Sequence, residues 1–292
     1  MTDLGIALGS GGARGWCHIG VLKALESLGV VPTRVAGCSM GALVGAAWAG
    51  GRLVALEDWA LSLTETRILS YMDIRLDRGG FIRGRYVRDM LDELGLPERI
   101  EDLDRPFVAV ATDMATGKEV VFDHGDLFDA IRASISIPGG FSPHHVDGKW
   151  LLDGGMVNPV PTSLLRDKES ERVIAVNPNG KHADLWSPTM WNPVQSLVEA
   201  SPFKFELPEV LRRNLPEAKL QGPGYFDVLS TSIDIMTEFV RNRRAQEDPA
   251  DISLEADLDH FSVLELFRAE EAIGEGQKLV RDNAEALSEL AG

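Results

Sequence analysis

Three short stretches of this chain hold residue types that could do chemistry. At positions 36–45 it reads AGCSMGALVG, with Ser39 framed by Gly37 and Gly41 in a G-x-S-x-G pattern. A nucleophile on a sharp strand-to-helix turn needs small residues two positions to either side, because larger ones would clash. Its oxygen would then stand at a helix N-terminus, where the dipole and free N–H groups favour developing negative charge. The pattern alone is a weak signal, since with 18 serines in the chain about 0.2 matches arise by chance.

The second stretch is LGSGGARG at 8–15. Glycines there let backbone N–H groups crowd toward a small anion ahead of a helix, a geometry that serves a phosphate or the oxyanion of an acyl-transfer intermediate. The third is KWLLDGGMVNPVP, where Asp153 follows an apolar run and precedes Gly154 and Gly155. An aspartate in such a turn is often only a turn-former. At the carboxyl end of a strand it is also placed to act as a general base.

The elements that must position these residues follow from periodicity. LGIAL (4–8) reads as a buried strand, and WCHIGVLKALESLG carries Ile19, Leu22, Leu25 and Leu28 at helical spacing before the stop at Gly29. RVAGC reads as the second strand, with helices expected over 40–50 and 53–65. FVAVAT (107–112), EVVF (119–122), KWLLD and RVIAV (172–176) add strands, giving a sheet of about six. The rhythm is that of a mostly parallel sheet with helices on its faces. Proline, tryptophan and asparagine interrupt 178–224, which reads as loops and short helices that could cover a site. Beyond it come a helix over 225–246, a strand-like DISLE and a long acidic helix over about 262–289.

Composition narrows the function classes. With 292 residues, 44% apolar and 25% charged, the chain reads as one large α/β domain with a C-terminal extension. The net charge is −16, and residues 225–292 hold 16 acidic against 6 basic side chains, a balance of −10. That region would repel nucleic acid and anionic lipid surfaces. Cys17 and Cys38 are the only cysteines, too few for a disulfide framework, so free thiols in a reducing compartment and a cytoplasmic location are expected. The N-terminal MTDLGIALGS lacks a secretory pattern. The uncharged run over 35–51 is 17 residues and glycine-rich, which suits a buried turn and helix better than a membrane span.

A dinucleotide site would need an acidic residue ending the second strand, and RVAGCS stands there instead, with Arg14 in the tail of the glycine loop. A histidine-containing triad would have to draw on His182 or His260, neither in a recognisable loop. His144, His145 and Asp147 could suggest a metal, but adjacent histidines point apart, so a surface or site-lining role is expected and no metal. Nor does any calcium-ligand spacing occur. His18 reads as packed, and Cys38 as a small buried residue without a basic neighbour. The arginines of RNRR (241–244) suit a helix's last turn, where they complement the dipole, with lipid head groups as the other reading. Trp186, Trp191 and Phe203 could line an acyl channel or anchor an ordinary loop.

Together, the glycine loop, the serine elbow and the DGG turn occur in the order seen in the patatin-like phospholipases, and the chain resembles that family. The segments LGSGGARGWCHIGV, VAGCSMG, IRASISIPG and DGGMVNPVP are similar to its bacterial intracellular members. The resemblance spans roughly 4–177 and is looser afterwards, although IDIMTEFVRNRR still resembles that subgroup. It implies a three-layer α/β sandwich with a mostly parallel central sheet flanked by helices: a catalytic core over 4–177, and over 178–292 an extension packed on the same domain. It implies hydrolysis of acyl esters of phospholipids or lysophospholipids, with Ser39 the nucleophile and Asp153 its base. The N–H groups of Gly11, Gly12 and Ala13, with Arg14 nearby, would form the oxyanion hole, and no cofactor is implied. Where the family commonly opens its loop with three glycines, this chain has Ser10, Gly11 and Gly12. A lipid or lysolipid substrate and transient contact with a membrane surface follow, and no nucleic-acid partner; oligomeric state is left open. A non-catalytic regulatory protein on the same fold is the rival reading. Because a solvated aspartate, with pKa near about 3.9, is a weak base, Asp153 is expected to be desolvated and its pKa raised.

Overall fold

The computed structural model describes residues 3–71, 84–166, 168, 170–180, 225–258, 260 and 262–291. The sheet has eight strands: β1 (Leu4–Leu8), β2 (Arg34–Cys38), β3 (Phe107–Asp113), β4 (Glu119–Phe122), β5 (His144–Val146), β6 (Lys149–Asp153), β7 (Arg172–Asn177) and β8 (Ile252–Glu255). Their order is β5-β6-β3-β2-β1-β7-β8, with β4 also paired to β3. The run β8-β7-β1-β2-β3 is parallel; β4 pairs antiparallel with the outer edge of β3, β6 pairs antiparallel with its other edge beyond the end of β2, and β5 pairs antiparallel with β6. The sequence reading missed β5, because HHV between a proline and a glycine turn carries no alternation of its own.

Alternation along the parallel strands divides the core. Leu4, Ile6, Leu8, Val35, Phe107, Ala109, Ile174 and Val176 face the larger cluster. Ala7, Ala36, Cys38, Val108, Val110 and Val173 face a smaller one with Leu164 and Leu165. Both sides are therefore buried, which is why these strands read as near-continuous apolar runs.

The helices are α1 (Cys17–Leu28), α2 (Met40–Ala49), α3 (Leu53–Leu61), α4 (Glu65–Tyr71), α5 (Arg85–Leu94), α6 (Leu127–Ser134), α7 (Thr162–Arg166), α8 (Tyr225–Glu247), α9 (Ala269–Asp282) and α10 (Ala284–Ala291). The helix expected over 53–65 ends at Leu61; the Ser62 hydroxyl donates to the Trp59 carbonyl (2.6 Å), and the Thr64 hydroxyl accepts from the Arg67 N–H (3.2 Å) at the start of α4. The long helix expected over 262–289 is likewise broken. It opens with a 3-10 turn at Leu266–Arg268, then bends between α9 and α10 at Asn283, whose φ of −116° leaves the helical region and whose amide donates to the Leu279 carbonyl (2.8 Å). Asparagine competes with the helix for backbone partners in this way.

Helices α1 and α9 meet at unusually close range. A Cβ on Gly20 would lie 2.0 Å from the Ile273 carbonyl oxygen, and one on Gly276 would lie 2.0 Å from that of Cys17. The pair fixes the C-terminal helices against the first βα unit, and with them the segment 262–268 that walls the site. Gly20→Ala should therefore lower stability by about 1–3 kcal/mol, because packed backbone cannot yield; a fall in Tm of several degrees is expected, and an unchanged Tm would refute this close packing.

Candidate active site

Strand β3 sets the geometry of the site. Its register places Cys38 of β2 opposite Val110 and Asp153 of β6 opposite Ala111. The residue after Cys38 and the last residue of β6 thus flank adjacent positions of one strand. Ser39 bridges the remaining gap by leaving the sheet sharply: its φ of 55° and ψ of −121° lie where L-residues are rarely found, a conformation costing about 1–3 kcal/mol. Gly37 and Gly41 permit the turn, since a Cβ on Gly41 would lie 2.0 Å from the Leu8 carbonyl and one on Gly37 would lie 2.4 Å from that of Gly41. Ser39 also caps α2, so its oxygen stands at that helix's N-terminus.

The Ser39 hydroxyl donates to Oδ2 of Asp153 at 2.6 Å. The other carboxylate oxygen accepts the Gly155 N–H at 2.8 Å, and the Cys38 thiol lies 3.9 Å from it. The backbone of Asp153 is held as firmly: its N–H donates to the Ser136 carbonyl (3.0 Å), and the Thr112 hydroxyl donates to its carbonyl (2.8 Å). Gly154, next in the turn, packs against the Val110 carbonyl. Asp153 is 4% exposed and Ser39 8%. Burial pushes the Asp153 carboxyl up to about 6, against the hydrogen bonds from Ser39, Gly155 and Cys38 that favour its ionised form. The same burial, with Asp153 beside it, drives the Cys38 thiol well above its ordinary value, so Cys38 is an inert neighbour.

The glycine loop divides into two parts. The N–H groups of Gly11 and Gly12 meet no acceptor among the described residues, and both glycines line the cavity that holds Ser39 and Asp153. Gly12 has a φ of 54° and lies directly under the Val263 carbonyl. Ala13 departs from the expectation for the oxyanion hole: its N–H donates to the Val263 carbonyl at 2.7 Å and is spent there. Arg14 departs too. It is 2% exposed, does not line the cavity, and donates to Oδ1 of Asn179 at 2.9 Å, while the Asn179 amide donates to the Ser10 carbonyl, also at 2.9 Å. Arg14 thus braces the loop from behind. His18 does the same from α1, its Nε2 lying 2.8 Å from the Gly9 carbonyl; burial pulls its pKa down to about 4 and keeps it neutral.

The cavity has a volume of about 140 Å³. Trp16, Leu43, Trp59, Met90, Phe141 and Ile233 are among its apolar walls, and Ser10, Asn179, Asp234 and Thr237 gather on one side. Asp234, on α8, was not singled out from the sequence; nothing in IDIMTEF marks it apart from neighbouring polar positions. Burial raises its carboxyl to about 6, opposed by the charge of Arg14. Ser134 and Ser136 were likewise visible only as part of a motif.

The remaining candidates stand apart from this site. His144 Nε2 pairs with Asp129 (2.7 Å), and the His145 ring packs on Trp150 (4.9 Å between centroids). His260 pairs with Glu271. Among the described residues no cluster of potential metal ligands forms, and no helix is long and apolar enough to cross a membrane. His182, Trp186, Trp191 and Phe203 lie outside the described residues. In RNRR, Arg241 pairs with Glu238 (3.6 Å) and Glu255 (3.5 Å), Arg243 with Glu247 (2.9 Å), and Arg244 donates to the Val157 carbonyl (3.1 Å).

A mostly parallel sheet between helix layers, with a serine elbow beside a buried aspartate, defines an α/β protein of the patatin fold family. Residues 6–166 match the family described as patatin-like phospholipase. The chain belongs to the patatin-like phospholipase family. It is 34% identical to an uncharacterized NTE family protein of Mycobacterium tuberculosis over 97% of this chain and 91% of that one. Human patatin-like phospholipase domain-containing protein 6 is 33% identical over 60% of this chain, which corresponds to 13% of its own length. VipD from Legionella pneumophila shares the fold, with a TM-score of 0.50 and 15% identity over 99% of this chain and 67% of that one.

The raised carboxyl of Asp153 has a thermodynamic signature. A folded-state pKa above the unfolded value of 3.8 means that ionisation disfavours the fold as pH rises from about 4 through about 6. By linkage the penalty at neutral pH is about 3 kcal/mol. Asp153→Asn removes it, so this variant should melt higher than the wild type at pH 8 and at nearly the same temperature at pH 4. A Tm difference that does not change with pH would count against a raised Asp153 pKa.

Proposed function

We propose that the protein is a serine acyl-ester hydrolase that cleaves fatty acyl esters of phospholipids or lysophospholipids through a dyad of Ser39 and Asp153. The observation that carries this reading is the 2.6 Å hydrogen bond between the two side chains in the lining of a largely apolar cavity. Serine is a weak nucleophile at neutral pH, so a base must take its proton as it attacks. Ionised Asp153 is that base: the Ser39 oxygen adds to the ester carbonyl as Oδ2 receives the proton, which then passes to the departing alcohol. Water attacks the acyl-enzyme by the same route and frees Ser39. The Gly11 and Gly12 N–H groups receive the developing oxyanion, supported by the α2 N-terminus; one such donor is worth about 10²-fold or more in rate. The apolar walls hold the acyl chain. Family membership and its NTE-like relatives support a lipid ester as substrate, and two buried free cysteines fit the reducing cytoplasm.

The test is hydrolysis of a short nitrophenyl ester and of a lysophospholipid. Ser39→Ala and Asp153→Asn, both folded, should each lose about 10³-fold or more in kcat/KM. Wild-type kcat/KM should fall tenfold per pH unit below about 6 and level off above it, since the base must be ionised. A serine-directed phosphonate should label Ser39 alone. Full activity in either variant refutes that residue's role, and a wild type that neither hydrolyses these esters nor reacts with the phosphonate favours the regulatory reading.

Contact with a lipid surface belongs to the same reading. Helix α8 walls the cavity with Ile233 and Thr237, while its outward side carries exposed Val228, Ile235, Met236 and Phe239, a stripe without charge. Because the C-terminal region is acidic, insertion of apolar side chains rather than charge would hold it. Phe239→Ser should reduce co-sedimentation with phosphatidylcholine vesicles severalfold while leaving nitrophenyl ester hydrolysis unchanged; equal co-sedimentation would refute this contact.

A further inference from the structure

Taking Ser39 as the nucleophile, we infer that Ser134 is its positioning residue: the Ser134 hydroxyl is inserted into the sheet between Ser39 and β3 and holds the elbow open. The parallel pairing of β2 with β3 begins with the Val35 N–H donating to the Pro106 carbonyl at 3.0 Å. Rungs of such a ladder recur every second residue. The third rung would join the Ser39 N–H directly to the Val110 carbonyl, in keeping with Cys38 opposite Val110. That direct bond is replaced by a bridge. The Ser39 N–H donates to the Ser134 oxygen at 2.8 Å, and the Ser134 hydroxyl donates to the Val110 carbonyl at 2.7 Å.

The bridge fixes both roles of the hydroxyl. Its single proton is committed to Val110, so its oxygen faces Ser39 as an acceptor. Ser134 is fully buried, so water does not compete for either partner. The inserted oxygen lets the strand leave the sheet one residue early while every polar group stays paired, which a strained φ of 55° in a buried turn requires.

The same short segment holds the base. Ser136 gives its carbonyl to the Asp153 N–H. Its hydroxyl accepts from Arg132 at 2.7 Å and donates back to the Arg132 carbonyl at 2.8 Å. Arg132 is itself buried, with its second arm on the Ser142 carbonyl (2.8 Å) and its guanidinium over Phe141. The end of α6 therefore sets where both reacting side chains stand relative to each other.

Removing the bridge either leaves the Ser39 N–H and the Val110 carbonyl unpaired or closes the rung directly and draws Ser39 back toward β3. In both cases the Ser39 oxygen shifts against Asp153, and a displacement near 1 Å costs about 10²-fold in rate. Ser134→Ala should lower kcat for nitrophenyl ester hydrolysis about 10- to 100-fold, with KM within about twofold because Ser134 itself does not line the cavity. Ser134→Thr, which keeps the hydroxyl, should recover most of kcat. Ser134→Cys, close in volume but a poor hydrogen-bonding group, should resemble the alanine variant and serves in its place if that one does not fold. Leu287→Ala, in the core of α10 away from the site, provides a destabilised control. An unchanged kcat in Ser134→Ala or Ser134→Cys, a kcat loss matched by Leu287→Ala at equal loss of Tm, or no recovery in Ser134→Thr overturns the inference. Ser39→Ala, measured alongside, separates the two failures. If it is inactive while Ser134→Ala is fully active, only the positioning role falls; if it is active, the nucleophile and the positioning role fall together.

Discussion

The buried hydrogen bond between Ser39 and Asp153 is the constraint on which the other features of the site depend. On the proposed reading Asp153 must act as a base, and a carboxylate in water is too weakly basic for that, so it is taken out of water; burying a charge is costly unless it stays hydrogen-bonded. Its surroundings meet both demands, with apolar neighbours that raise its pKa and with Ser39 and Gly155 donating to its two oxygens. The helices and the 262–268 segment line the cavity beside Ser39 and Asp153 with mostly apolar side chains. The raised carboxyl and the apolar lining are thus two consequences of one enclosure.

Strand β3 is the ruler for that enclosure. β2 and then β6 pair one after the other along the same edge of it, with β4 on the opposite edge, so the serine and the aspartate come from segments 114 residues apart yet meet where one pairing ends and the other begins. Closing the last gap needs a turn that ordinary residues disfavour. Two glycines give it room, and the hydroxyl at the end of α6 keeps its amide paired. Strain at Ser39 is stored in a setting that over-determines it on every side, as is common where side chains are held for reaction.

The glycine loop divides its labour. Gly11 and Gly12 line the cavity with N–H groups that meet no acceptor among the described residues, while Ala13, Arg14 and Ser10 anchor the loop to Val263, to Asn179 at the end of β7, and to Pro159. The oxyanion hole proposed for this loop needs both parts, because donors that move on reaction lose their electrostatic advantage. Asp234 adds a second raised carboxyl to the polar side of the cavity, near Arg14.

Much of this was legible in the sequence. Apolar runs bounded by glycine, proline or turn residues identified β1, β2, β3 and β6, and residue types on their ends singled out Ser39 and Asp153 as candidates, because strand endings and tight turns are local properties of a chain. Local pattern also has limits: β5 is too short to alternate, and Asn283 breaks a helix whose periodicity continues past it. The functions of Ala13 and Arg14 depend on Val263 and Asn179, more than 160 residues away, and no local pattern carries such a partner. Ser134 lay in view within IRASISIPG, but its insertion into a sheet rung exists only once β2, β3 and α6 are packed together. What the sequence by itself determined was which residues could react and which elements would carry them. The tertiary structure alone decided their distance, their burial and hence their pKa, because these arise between segments that are neighbours only in the folded chain.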